Sequence, residues 1–221
     1  MPRAPGPIGV LFGVAVALVI TLAGPLLLFN PWFTSALQAR HEVAAAFDTS
    51  PAEIDRVTGA ILVDLYVNGR FDAALTDGEP LLDERERSHM SDVSRLVQLL
   101  AGVTLVALVV AVATGAWLRR ERERQGRIML IAAGGIGVAA ILLAGVFAVA
   151  FEPAFLAFHQ LFFPPGTFLF APGSNLILLF PEGFWFDAAL AAGATIIVTA
   201  LVVTVIGLRR WRGASRTPAQ P

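Results

Sequence analysis

"LVQLLAGVTLVALVVAVATGAWLRRERERQGR" runs from Leu96 to Arg127 and decides the fold. Its first 23 residues, Leu96 to Leu118, carry no charge, and the nine that follow hold five arginines. A helix rises about 1.5 Å per residue, so roughly 20 apolar residues cross the ~30 Å of hydrocarbon in a bilayer. An uncharged run of that length closed by an arginine cluster reads as a membrane span ending at the cytoplasmic face. Three further runs repeat the pattern: Ile8 to Phe29, Ile128 to Phe151 and Ala188 to Leu208, of 22, 24 and 21 residues. Composition agrees, with 56% hydrophobic and 15% charged residues and a mean hydropathy of +0.71. The expected fold is an all-α membrane protein of four transmembrane helices, with a small extracytoplasmic cap formed by two outer loops. No span holds a charged side chain, which weighs against an ion pathway or proton relay.

Arginine alone sets the orientation, because the chain has no lysine. Ten arginines lie before the first run, between the second and third, and after the fourth, against only Glu121 and Glu123. The other two connections hold six arginines against fifteen acidic residues, so the net charge of −1 conceals two oppositely charged faces. The positive-inside rule then gives a cytoplasmic tail 1–7, span 8–29, cap loop 30–95, span 96–118, cytoplasmic loop 119–127, span 128–151, aromatic outer loop 152–187, span 188–208 and cytoplasmic tail 209–221. The first run is longer than a signal-peptide core and Pro25 to Trp32 offers no small-x-small cleavage site, so it reads as an anchor. Cysteine is absent, which excludes disulfide staples and thiol chemistry.

In the cap loop, Ser50, Pro51 and Glu53 form an N-cap, first-turn proline and capping box. A helix of about four turns is expected to follow, with Ile54, Val57, Ile61 and Leu65 on one apolar stripe, Asp55, Arg56 and Asp64 off it, and Asn68-Gly69 ending it. That stripe is scaffold. Further on, "LLDERERSHMSDVSRL" (Leu81 to Leu96) reads mostly as a solvated helical face. His89 stands out in it, about two turns before the hydrocarbon, with Glu86 three residues earlier placed to orient or charge its ring. His159 lies about two turns beyond the third run, in the phenylalanine- and proline-rich stretch "FHQLFFPPGTFLFAPGSNLILLFPEGFW" (Phe158 to Trp185). An aromatic belt explains such phenylalanines but needs no histidine. Pro164-Pro165-Gly166 and Ala171-Pro172-Gly173 forbid a continuous helix and require tight turns. His41 matches no motif and is read as an exposed loop residue.

"ERERSHMSDV" (Glu84 to Val93) and the Phe158 to Trp185 stretch resemble the two signature regions of the lipoprotein intramolecular transacylase family, four-span bacterial membrane proteins with an extracellular cap. The order of elements is similar over nearly the whole chain; members often carry an acidic residue near the position of Asn175. The resemblance implies an acyltransferase of the bacterial plasma membrane with its site at the outer leaflet. Its substrate is a diacylglyceryl lipoprotein, whose sn-2 acyl chain moves from the glyceryl ester to the free α-amine of the N-terminal cysteine. His89 and His159 match the two histidines that do the family's chemistry. His159 is assigned as general base, and His89 as the group that stabilises the oxyanion or protonates the leaving oxygen; the reverse assignment stays open. Phe158, Phe162, Phe163, Phe168, Phe170, Phe180, Phe184 and Trp185 supply a confining aromatic wall. Glu86, Asp92 and Glu182 are candidates for orienting the histidines or holding the loops together, with Glu182 placed to pair with Arg85 or Arg95.

The expected partners are that substrate and membrane lipids, not nucleic acid; no cofactor or metal is expected, and the oligomeric state stays open. Three other readings compete: a metal hydrolase using His89, His159, Glu86 and Glu182 as ligands, a non-catalytic lipid-binding protein, and an acyltransferase fed by a separate phospholipid.

Overall fold

The computed structural model describes residues 6–76 and 78–214; Arg3 and Arg216, counted above among the cytoplasmic arginines, lie outside the described residues. The described chain is all-helical, without a named strand: α1 (Pro7–Leu27), α2 (Pro31–Arg40), α3 (Val43–Ala46), α4 (Pro51–Val63), a π turn (Asp64–Asn68), α5 (Glu84–Trp117), a 3-10 turn (Leu118–Arg120), α6 (Arg122–Val149), α7 (Phe151–Phe162), α8 (Asn175–Leu179) and α9 (Glu182–Ala214). Four of these segments, Pro7–Leu27, Glu84–Arg120, Arg122–Val149 and Glu182–Gly213, are long and apolar enough to cross a bilayer. This is a multi-pass membrane protein.

Hydropathy locates lipid, and helices need not stop where lipid does. Glu84 to Arg95 are too polar for hydrocarbon but form good helix, so α5 begins twelve residues before the apolar run at Leu96 and carries His89 on a rigid element. The apolar run of the third span is broken at Ala150 (φ −143°, ψ 51°), after which α7 starts afresh. His159 therefore stands on a helix, where the sequence suggested a loop.

The chain divides into two compact units. Among the described residues, the first comprises 6–25, 101–143 and 192–214. Its helices meet where side chains are smallest. A methyl group at Gly126 would lie 2.5 Å from the Gly207 carbonyl oxygen and 2.7 Å from the Trp211 nitrogen, and one at Gly24 would lie 2.5 Å from Thr195 Oγ1. Small residues allow this close approach, the usual device for packing helices in lipid. Gln125, 4% exposed, donates to the Gly115 carbonyl at 3.0 Å and accepts from Arg210 Nη1 at 2.7 Å, so its amide is not left unpaired. Leu105, Val109, Ile131, Leu142, Val198 and Leu201 stay exposed, as lipid-facing positions do.

The second unit comprises 26–100 and 144–191 and holds the histidines. Asn30 caps α2 by accepting the Phe33 N–H at 3.0 Å, with Pro31 in the first turn. Ser50 caps α4 through the Glu53 N–H at 3.2 Å, while the Glu53 carboxylate forms a bidentate pair with Arg56 at 2.6 and 2.8 Å. The expected stripe is buried: Ile54, Val57, Ile61 and Leu65 pack with Phe71, Leu81, Leu82, Met90, Leu176 and Leu179. Asp64 departs from expectation. It is 5% exposed because it stands seven residues after Val57 and three after Ile61, on the buried face itself, where its carboxylate accepts the Phe71 N–H at 2.8 Å. Phe71 itself has φ 51°, so this bond holds a strained backbone.

His41 also departs from expectation. It caps the C-terminus of α2 and its Nε2 lies 2.9 Å from Asp187 Oδ2, with Arg40 Nε 3.2 Å from the same oxygen. The ring packs onto Gly183, where a methyl group would sit 2.6 Å from Cε1. The partner is 146 residues away, which no local pattern reveals.

Candidate active site

Residues 151–187 build a chamber in three steps. α7 places Phe151, Phe155 and His159 at i, i+4 and i+8, on one helical face. A non-helical segment follows, turning where Gly166 (φ 82°) and Gly173 (φ 87°) adopt the left-handed conformation that a Cβ disfavours. The Thr167 N–H reaches the Pro164 carbonyl at 3.3 Å and the Ser174 N–H the Ala171 carbonyl at 3.1 Å, so both predicted turns form. α8 then packs Leu176 and Leu179 into the core.

This path brings the two histidines together. The rings of His89 and His159 are 6.0 Å apart between centroids and inclined by 27°. Phe163, 6% exposed, packs against both rings, 4.9 Å from His89 and 5.5 Å from His159. Phe170 flanks His89 at 5.6 Å, and Phe155, Phe168 and Phe158 flank His159 at 4.2, 5.3 and 5.6 Å. The remaining wall residues stand further off. Phe162 stacks on Phe158 at 4.9 Å and is 45% exposed; Phe180, Phe184 and Trp185 form their own cluster, joined to the chamber through Phe155, 6.0 Å from Trp185.

Both imidazoles precede or follow the apolar runs, and both are pushed toward the neutral form. Burial, then the facing charge of His159, lower the His89 pKa to about 4, against a smaller lift from Asp92. Burial likewise lowers that of His159, against a lift from the Phe155 carbonyl. That carbonyl, 2.8 Å from Nδ1, can only accept, so Nδ1 carries the proton and Nε2 keeps its lone pair. Nδ1 of His89 is buried and makes no hydrogen bond.

Of the acidic candidates, Glu86 takes the second of the two roles expected of them, holding segments together, and none of the three hydrogen-bonds a histidine. Glu86, 2% exposed, does not orient His89: its Oε2 accepts the Asp83 N–H and its Oε1 the Leu176 N–H, each at 2.8 Å, so it holds two segments together. Asp92 pairs with Arg95, one turn along α5, and reaches His89 only through its charge. Glu182 is exposed at the start of α9 and pairs with neither Arg85 nor Arg95, because Arg85 donates to the carbonyls of Gly166 (3.5 Å) and Leu169 (3.3 Å). Asn175 donates to the Leu81 carbonyl at 2.7 Å. With Glu86 engaged and Glu182 outside, the ligand set of a metal hydrolase is not assembled, and among the described residues no three His, Cys, Asp or Glu side chains converge.

A family model described as lipoprotein intramolecular transacylase Lit matches residues 9–185, most of the chain and both histidines. The chain belongs to this family. It is therefore an acyltransferase that acts within lipoproteins. A protein of Aquifex aeolicus (strain VF5), described as uncharacterized, is 27% identical over 150 residues, 67% of each chain. The fold is similar to the in meso structure of the membrane-integral lipoprotein intramolecular transacylase of Bacillus cereus, at TM-score 0.83 and 20% identity over 95% of this chain and 97% of that one. Two further structures of that enzyme, each with one histidine replaced (by arginine or by alanine), match at TM-scores of 0.75 and 0.76.

For this family member, Phe155 is the chamber residue that sequence reading missed. Its signal was the i, i+4 spacing from Phe151 and to His159, which carries meaning only once residues 151–162 are known to be helical.

Proposed function

We propose that the chain moves the sn-2 acyl group of a diacylglyceryl lipoprotein to the α-amine of its N-terminal cysteine, with His159 as general base and His89 as oxyanion partner. The site lies at the outer leaflet of the bacterial plasma membrane, and both termini are cytoplasmic, following the arginine distribution. The observation that carries this reading is the pair of imidazoles, with centroids 6.0 Å apart, flanked by phenylalanine rings.

The chemistry follows from the atoms. The neutral amine attacks the ester carbonyl carbon; a C–N bond forms and the carbonyl oxygen becomes an oxyanion. His159 Nε2, left free by the Nδ1 bond to Phe155, takes the amine proton. The C–O bond to glyceryl then breaks, and the same proton returns to the leaving oxygen. Substrate and product are isomers, so no co-reactant is needed. His89, beside His159, is the group within reach to donate an imidazole N–H to the substrate's oxygen as charge develops there. Because amine and ester belong to one molecule, holding them together supplies up to roughly 7–11 kcal/mol of the barrier. The phenylalanines also exclude the water that would hydrolyse the ester.

A crossover experiment tests the reading. Two diacylglyceryl-cysteine peptides of different sequence, one with an isotopically labelled sn-2 chain, are incubated together with the purified protein and phospholipid. The label must appear only as an amide on its own peptide. Label on the second peptide, or an unlabelled chain taken from phospholipid, would replace this reading with an intermolecular acyltransferase.

A further inference from the structure

Glu86 is 2% exposed, yet it touches no histidine. Its carboxylate is one half of a reciprocal capping box at the start of α5: Asp83 Oδ1 accepts the Glu86 N–H at 2.8 Å, and Glu86 Oε2 accepts the Asp83 N–H at 2.8 Å. An ordinary box needs only one of the two carboxylate oxygens. Here the second, Oε1, accepts the Leu176 N–H at 2.8 Å, across 90 residues. Leu176 is the second residue of α8, where a backbone N–H has no intrahelical acceptor, and the cap residue Ser174 makes no side-chain cap bond. One carboxylate thus satisfies the backbone starts of two elements at once.

The two elements are those that make the chamber. His89 stands one turn beyond Glu86 on α5. Phe163 and Phe170, which flank its ring, belong to the segment leading into Leu176. Two weaker ties run in parallel, from Asn175 Nδ2 to the Leu81 carbonyl at 2.7 Å and from Arg85 to the carbonyls of Gly166 and Leu169. Only the Glu86 tie is buried and joined to the helix that bears the imidazole.

We propose that Glu86 is a positioning residue for the transfer: by capping Asp83 and Leu176 together, it fixes the aromatic wall against His89 and thereby keeps the ester reachable by the amine and closed to water. This rests on the histidine reading given above. The role requires a carboxylate of this length. Glutamine offers one acceptor oxygen and turns an NH2 toward the other backbone N–H; aspartate, one methylene shorter, cannot span both.

The test uses the full chain in lipid with a diacylglyceryl-cysteine peptide, comparing the parent with Glu86→Gln, Glu86→Asp and Asn175→Ala. Two quantities are read per folded enzyme: kcat and KM, and the ratio of amide product to released fatty acid. A displacement of about 1 Å costs about 100-fold in well-oriented reactions, so Glu86→Gln is expected to lower kcat by at least about tenfold, with KM within about twofold. The share of fatty acid rises, and Glu86→Asp does not rescue either quantity. A merely structural role would lower the folded fraction and leave the product ratio alone, so an unchanged ratio and kcat per folded enzyme would overturn the proposal. Where Glu86→Gln does not fold, Asn175→Ala decides, since loosening the same joint must shift the ratio in the same direction and an unchanged ratio counts against it. A parent that gives no amide product at all overturns the histidine reading itself, a result distinct from an active parent with insensitive variants.

Discussion

Lowering the pH from about 7 to about 5.5 separates buried, neutral histidines from ordinary ones, because a free α-amine titrates near 8 and an unperturbed imidazole near 6.5. The profile of kcat/KM reports the free substrate and the free enzyme. The amine contributes a calculable share: its neutral fraction falls from about 9% to about 0.3% over that interval, a loss of about 30-fold. A required neutral imidazole at the ordinary value adds about eightfold, for a total near 240-fold. In this chain burial lowers the His89 pKa to about 4, and it lowers that of His159 as well. The sign is therefore fixed. A lowered pKa keeps the ring neutral to more acidic pH, so His89 adds almost nothing and His159 adds less than about eightfold. The fall stays below about 240-fold, with any second unit of slope setting in below about pH 6.5. The assay is initial-rate quantification of the amide product across the range, with the peptide's own amine pKa titrated separately. A fall of about 240-fold or more, with a slope of two setting in near pH 6.5, would refute the claim that burial holds both rings neutral.

Other consequences are independent of that profile. His159→Ala and His89→Ala should each lower the rate per folded enzyme by about 100- to 10,000-fold, the usual worth of a proton-transfer group. Gly183→Ala drives a methyl group into the His41 ring and should cost about 1–3 kcal/mol, read as a lowered unfolding midpoint. Gly126→Ala meets backbone atoms of Gly207 and Trp211, which cannot rotate away, so it should lower the yield of folded protein more than Gly134→Ala, where the added methyl meets open space. Since the lowered His89 pKa disfavours protonation of the folded chain, stability is complete above the ordinary imidazole pKa and declines as pH falls below it. His89→Gln should flatten that decline.

The four apolar runs were legible because a bilayer imposes a length, and the two turns because Pro-Gly dipeptides restrict the backbone whatever surrounds them. The approach of His89 to His159 was legible as two histidines at similar distances from the hydrocarbon, each in one of the two stretches that resemble the family's signatures. What the sequence concealed has physical causes. Asp64 shares the stripe's face by helical spacing, but its charge pointed to solvent, and the Phe71 N–H that satisfies the buried carboxylate lies past the helix end, where periodicity is silent. Glu86 at i−3 of His89 suggested a shared face. The same spacing from Asp83 is a capping box, and a carboxylate facing the helix start cannot also serve a ring one turn on. The Asp83-x-x-Glu86 pattern was the available signal. His41 with Asp187, and Glu86 with Leu176, are contacts across 146 and 90 residues that depend on tertiary structure alone.

The most direct test of the central claim is tandem mass spectrometry of a diacylglyceryl-cysteine peptide with a free amine, after incubation with the parent chain and with His89→Ala and His159→Ala. Fragmentation is needed because transfer gives an isomer of unchanged mass. The account predicts an acyl amide on the cysteine together with a monoacyl glyceryl group for the parent, and unchanged peptide for both variants. Amide product at the parent rate from either variant, or release of the fatty acid to water by the parent, would contradict it.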